Sequence, residues 1–114
     1  FGLCVSAEDL AKVGQMCLNK GIYNDKQIVS SKWIEQITTP YIKCDEKFAF
    51  MQYGYLWWII DEEKKIYSAI GDSGNVIYVN TDKNIVISVT ATFKPLVFDR
   101  VQFIQKYIEP FITE

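Results

Sequence analysis

The chain has 114 residues, 49% of them hydrophobic and 15% aromatic, and a net charge of −2. That length suits one domain or one piece of a larger one, and the composition can supply a buried core. The charge balance argues against a broad electrostatic footprint for nucleic acid or an anionic membrane. No apolar run approaches the roughly 18 residues of a membrane span, and no basic-then-apolar leader opens the chain. It begins Phe1-Gly2-Leu3 without a Met, which reads as a processed or excised segment. Residues 1–114 are read as one unit, and any signal sequence would lie upstream, leaving the compartment open.

Ser6-Ala7-Glu8-Asp9 opens a first helix: Ser6 can cap it, and the two acids sit at the positive end of the helix dipole. Leu10, Val13, Gly14 and Cys17 share one face at helical spacing, and Lys20-Gly21 closes the element. Tyr23-Asn24-Asp25-Lys26 is a turn. A second, shorter helix starts near Ser30 or Ser31, carries Trp33, Ile34 and Ile37, and stops at Thr38-Thr39-Pro40. From about Tyr41 to Gln52 no period is visible, and the stretch reads as a long loop.

The second half changes character. Residues 53–60 (YGYLWWII) form a continuous aromatic and β-branched run, predicting a strand buried on both faces. Trp57 and Trp58 are adjacent and therefore point to opposite faces. Asp61-Glu62-Glu63-Lys64-Lys65 reads as a solvated hairpin turn, followed by a strand over residues 66–70. Gly71-Asp72-Ser73-Gly74 turns the chain into a strand over residues 75–80, and Thr81-Asp82-Lys83-Asn84 turns it again. Residues 85–92 alternate cleanly: Ile85, Ile87, Val89 and Ala91 face one way, Val86, Ser88, Thr90 and Thr92 the other. After Lys94-Pro95 a helix runs to about Ile112. Val97, Val101, Ile104, Ile108 and Phe111 form its stripe, widened by Leu96, Phe103 and Tyr107 to lie across a sheet. The expected fold class is α+β: two N-terminal helices, a four-stranded antiparallel meander, and a C-terminal helix packed on the sheet.

The chemistry-bearing residues are sparse. There is no histidine, and the three cysteines, Cys4, Cys17 and Cys44, are widely spaced with no C-x-x-C. A zinc site or a complete disulfide framework is therefore not expected; the thiols read as buried or idle, and no metal or cofactor is called for. Gly71-Asp72-Ser73-Gly74 spells the GDSG that surrounds the nucleophile of trypsin-like proteases, but that serine needs a histidine to take its proton. Tyr78-Val79-Asn80 fits a Tyr-x-Asn pattern, yet within a strand Tyr78 reads as a packing residue. Glu62-Glu63, at a hairpin tip, reads as solvent-facing rather than as an acid/base pair. Tyr53, Tyr55, Trp57 and Trp58 read as core, with one tryptophan left to meet a second layer, a groove or a partner.

Several segments together, GLCVSAEDLAKVGQMCLNKGIYNDKQIVSSKWIEQITTP, YGYLWWI and YSAIGDSGNVIYVNTDKNIVISVTAT, resemble the C-terminal part of the serine β-lactamase-related family. That family includes class C β-lactamases, D-alanyl carboxypeptidases, penicillin-recognising enzymes, esterases and the nylon-oligomer hydrolase type. The resemblance runs in order over about residues 1 to 93. It implies a partial β-lactamase/transpeptidase-like fold ending in a helix on the antiparallel sheet. The family's nucleophile and base lie in a Ser-x-x-Lys motif. None of Ser6, Ser30, Ser31, Ser68, Ser73 and Ser88 is followed three residues later by lysine, so no catalytic residue is assigned in this chain. The family's tyrosine motif precedes its Lys-Thr-Gly element, whereas Tyr78-Val79-Asn80 follows the matching position, so that role is not carried over.

Only the third element is placed. Asp72-Ser73-Gly74 resembles Lys-Thr-Gly. The resemblance implies that the Ser73 hydroxyl binds substrate, that Gly74 lets backbone approach it, and that the Asn75 N–H is an oxyanion donor. Asp72 departs from the cation or histidine often found there. It puts β-lactamase activity in doubt and points to a neutral or cationic ester, amide or peptide substrate. The leading expectation is a C-terminal portion of such a hydrolase, inactive alone; the competing one is a free-standing binding or interaction module. A homodimer of the segment, burying the two-sided strand over residues 53–60, is compatible with the leading expectation. Neither a nucleic-acid partner nor a membrane span is expected.

Overall fold

The computed structural model describes residues 4–46, 51–71, 74–91 and 99–112. Helix α1 is Ala7–Leu18, and its start is fixed by a reciprocal cap: Ser6 Oγ accepts the Asp9 N–H at 3.1 Å while the Asp9 carboxylate accepts the Ser6 N–H. A two-stranded hairpin follows, β1 (Ile22–Tyr23) with β2 (Lys26–Gln27), around the expected turn. Helix α2 is Ser31–Ile37, with Ser30 Oγ accepting the Trp33 N–H.

The main sheet is antiparallel throughout, in the order β3-β4-β5-β6-β7-β8. Its strands are β3 (Ile42–Lys43), β4 (Gln52–Tyr53), β5 (Trp58–Asp61), β6 (Ile66–Ile70), β7 (Val76–Asn80) and β8 (Ile85–Val89). The class expected from the sequence, α+β with an antiparallel sheet, is the class observed, and the expected meander is its β5–β8 part. Two short edge strands extend it from a stretch expected to be loop. β3 and β4 are two residues each, too short for any alternation to register in the sequence.

The run over residues 53–60 is not one strand. Gly54 to Trp57 bend the chain between β4 and β5, with Leu56 at φ 68°. Helix α2 causes the bend. The Tyr55 N–H donates to the Ile37 carbonyl at 3.0 Å, and a Cβ on Gly54 would lie 2.2 Å from that same oxygen. A continuous strand is excluded where the backbone presses this closely on a helix end.

Helices cover both faces of the sheet. On one, α1 and α2 enclose Cys17, Ile34, Trp57, Tyr67, Ile77 and Val79. Gly14 allows the approach: a Cβ there would come within 2.5 Å of Val86 and 2.8 Å of Ile77. Of the expected α1 face, Gly14 and Cys17 are buried and Leu10 half-buried, but Val13 is exposed. On the other face, Ile66, Val76, Tyr78 and Ile87 pack against Val101 and Ile104 of the C-terminal helical segment. Successive residues of β6, β7 and β8 feed the two cores in turn, as period-two alternation requires.

That segment is α3 (Asp99–Phe103), a wide π-helical turn (Ile104–Ile108) and α4 (Glu109–Ile112). The Glu109 N–H bonds five residues back to the Ile104 carbonyl. Pro110 accounts for the widening: it has no N–H to continue the ladder, and its ring clashes with the carbonyl four residues earlier. The extra residue in the turn shifts the phase of all that follows. Val101 and Ile104 are buried and Ile108 half-buried as expected, but Glu109 takes the next inward place and Phe111 is 86% exposed. Phe103 and Tyr107, expected to widen the buried stripe, are exposed too. Val97 and Leu96 lie outside the described residues.

Candidate functional site

The turn that joins β6 to β7 stands at one end of the sheet. Its last ladder pair is Ile70 with Val76. Beyond it, the Gly71 N–H donates to the Asn75 carbonyl at 2.8 Å, and the Gly74 N–H to the Gly71 carbonyl at 3.3 Å. Gly74 has φ 88°, a conformation that costs a glycine little and other residues more. Gly71 and Asn75 are exposed, and Gly74 is buried. The Asn75 side chain reaches sideways: its Oδ1 accepts the Ala91 N–H at 3.0 Å, just past β8. Of the four residues singled out, Gly74 and Asn75 are thus fixed in one hydrogen-bonded turn; Asp72 and Ser73 lie outside the described residues.

The same end of the sheet carries the Gly54–Trp57 bend, because Trp58 pairs with Ser68 and the chain before it runs toward Ile70. Trp57 is buried and meets Tyr67 edge-on at 5.3 Å. Trp58 is half-buried against Tyr53 at 4.7 Å, and its cross-strand partner Ser68 belongs to the opposite alternation. The two tryptophans therefore face opposite ways, as adjacency requires. Tyr55 lies outside this core, stacked on Tyr41 at 4.8 Å and tilted against Trp33 at 6.0 Å, all three exposed.

At the other end of β7 lies a polar cluster that sequence reading missed. Glu109, 6% exposed, accepts the Tyr78 hydroxyl at 2.8 Å and the Asn80 side-chain amide at 3.1 Å. Lys83 Nζ pairs with it at 3.3 Å, and Gln105 Nε2 donates to the Tyr78 oxygen at 3.2 Å. Tyr78 is fully buried, and burial drives its phenol well above the usual range. It is a neutral donor to a carboxylate inside the fold, in keeping with its reading as a strand residue. A two-residue step, Tyr78 to Asn80, puts both side chains on the face of the C-terminal helix; that spacing was the available signal.

A cleft of about 680 Å³ lies between the end of α1, α2 and the β5–β6 hairpin. Cys17, Ile34, Ile59 and Tyr67 line it, with Lys20, Glu35, Glu62 and Lys65 among its charged residues. Burial pushes the Cys17 thiol up to about 11, so it is neutral near pH 7 and a poor nucleophile. Cys4, Cys17 and Cys44 are all free thiols. Glu62 and Glu63 are exposed at the hairpin tip as expected. Among the described residues no cluster of three His, Cys, Asp or Glu could hold a metal, and no helix is long and apolar enough to cross a membrane.

A 6-aminohexanoate-dimer hydrolase of Paenarthrobacter ureafaciens is 31% identical to the chain over 93 residues, covering 75% of this chain and 24% of that protein. The chain is related to hydrolases over that stretch. A solved structure, "Putative 6-aminohexanoate-dimer hydrolase from Bacillus anthracis", matches 93% of this chain and 28% of its own, with TM-score 0.67 and 25% identity. The chain therefore spans about a quarter of the length of each of these relatives. No protein-family model matches it.

Proposed function

We propose that the chain is the sheet-side portion of a serine hydrolase of the β-lactamase-related kind, forming one wall of its active site and turning over nothing alone. The observation that carries this reading is the Gly71–Asn75 turn: a hydrogen-bonded loop at the open ends of two central strands, inside a segment similar to two hydrolases. On this reading the Ser73 hydroxyl holds the substrate carbonyl or carboxylate, and Gly74 keeps side-chain bulk away from it. The Asn75 N–H stabilises the negative charge that develops on the carbonyl oxygen as the tetrahedral intermediate forms. The nucleophilic serine and its lysine base belong to a Ser-x-x-Lys helix carried elsewhere in the longer protein. The Asp72 carboxylate repels anions, so the substrate is a neutral or cationic ester, amide or small peptide. The test is kinetic, on the longer protein that carries this segment. Alanine at its Ser-x-x-Lys serine abolishes turnover, and Ser73→Ala raises KM or lowers kcat. Full turnover with either change present contradicts the reading.

A second reading, a stand-alone binding or dimerisation module, is favoured by one observation. Phe103, Tyr107 and Phe111 recur every four residues and are exposed along the outer side of the C-terminal helical segment. Light scattering of the purified chain tests its dimerisation form: a dimer that Tyr107→Glu dissociates supports it, and a monomer across micromolar to millimolar concentrations removes it.

A further inference from the structure

The Asn75 side chain joins two strand ends that the backbone leaves apart. In the β7–β8 ladder the residue numbers of each pair are fixed by Val76 opposite Val89 and Ile77 opposite Ser88. Continued outward, that register sets Ala91 opposite Gly74. Gly74, at φ 88°, has already turned toward Gly71 and donates its N–H there. The ladder therefore ends at Val76, and the Ala91 N–H loses the backbone carbonyl that a longer β7 would offer. Asn75 Oδ1 takes that place at 3.0 Å. The Asn75 carbonyl meanwhile accepts the Gly71 N–H at 2.8 Å. One residue thus ties the end of β6 through its main chain and the end of β8 through its side chain.

We infer that Asn75 is a positioning residue, whose side-chain carbonyl clamps the β6–β7 turn to the chain leaving β8 and so fixes the direction of its own backbone N–H. The inference rests on the proposed hydrolase reading for its catalytic consequence, but not for the clamp itself. A peptide plane held at one end only can swing about its flanking dihedrals. The carbonyl bond to Gly71 fixes the plane after Asn75, the side-chain bond to Ala91 fixes the Cα–Cβ direction and with it the position of the Asn75 nitrogen, and the Gly74 N–H bond to the Gly71 carbonyl holds the far end of the plane before. An amide held this way is preorganised before substrate arrives, which is where oxyanion donors gain their effect. Residue choice follows from reach and chemistry. Asparagine has an sp² oxygen two bonds beyond Cβ and can accept while remaining uncharged; serine is one atom shorter, and alanine offers no acceptor.

The decisive experiment is amide hydrogen exchange on the purified chain, with wild type, Asn75→Ala and Asn75→Asp compared residue by residue. The Ala91 amide is protected in the wild type, loses about tenfold or more of that protection in Asn75→Ala, as expected for one hydrogen bond, and regains it in Asn75→Asp. Amides of Ile77 and Val79 stay unchanged in all three, which separates loss of the clamp from unfolding. Equal Ala91 protection in wild type and Asn75→Ala overturns the clamp. In the longer protein, Asn75→Ala lowers kcat roughly tenfold to a hundredfold, as a displaced oxyanion donor should, with KM within about twofold. An unchanged kcat, or a loss expressed only in KM, overturns the positioning role. A wild-type longer protein that hydrolyses nothing overturns the hydrolase reading instead, and the exchange data still decide the clamp.

Discussion

The two faces of the sheet are closed by different chemistry. Under α1 and α2 the contact is chiefly apolar: Trp57, Tyr67, Ile77 and Val79 meet Cys17 and Ile34, and Gly14 brings the helix close. Under the C-terminal segment there is an apolar core as well, to which Val101 and Ile104 are the buried helical contributions among the described residues. There a buried carboxylate, Glu109, adds four polar partners or neighbours from β7, the following turn and its own helix. An apolar layer tolerates small shifts in register, whereas a buried carboxylate is satisfied in few positions. The first face is therefore held chiefly by apolar contact, and the second by apolar contact together with the geometry of a buried carboxylate.

Substitutions break the comparison in graded steps. Trp57→Ala empties the apolar face and should cost about 4 kcal/mol of unfolding free energy, read from urea denaturation. Glu109→Ala leaves the Tyr78 hydroxyl and Asn80 amide buried without their acceptor. It should cost about 3 kcal/mol, nearly as much as a tryptophan. A loss below about 1 kcal/mol means the second face is held by its apolar contacts after all. Tyr78→Phe removes one donor while the carboxylate keeps other partners, and about 1 kcal/mol is expected. Lys12→Ala, which breaks an exposed pair with Glu8 on α1, should change stability by only a few tenths of a kcal/mol.

Alkaline pH sharpens the same contrast. Burial raises Cys17 and Tyr67 on the first face and Tyr78 on the second. In the unfolded chain these groups ionise near their ordinary values of 9.0 for the thiol and 10.0 for the phenols. Above those values the unfolded state holds fewer protons than the folded one, so stability falls as pH rises. The thiol contribution is fully present below pH 9 and is lost as pH climbs toward about 11. The phenol contributions start to fall only above pH 10. Urea titrations from pH 7 to 11 should show the first decline near pH 9, and Cys17→Ala should delay it toward pH 10.

Much of this architecture could be read from residue order. Ser6 with Asp9 and Ser30 with Trp33 mark helix starts because capping is local. The alternation in β6, β7 and β8 is plain because each of those strands is five residues long. What escaped depends on partners distant in sequence. The bend at Gly54 is imposed by the Ile37 carbonyl. Glu109 finds its partners in Tyr78 and Asn80, 31 and 29 residues earlier. The candidate site divides in the same way: the turn around Gly74 is legible from its glycines, but the Asn75 bond to Ala91, sixteen residues away, is not.

The central claim, that this segment is one wall of an active site and lacks the reacting groups, is met most directly by assaying the purified chain alone. With p-nitrophenyl acetate and nitrocefin as substrates, hydrolysis should not exceed the buffer rate at any chain concentration. Saturable turnover above that rate, abolished by Ser73→Ala, would contradict it.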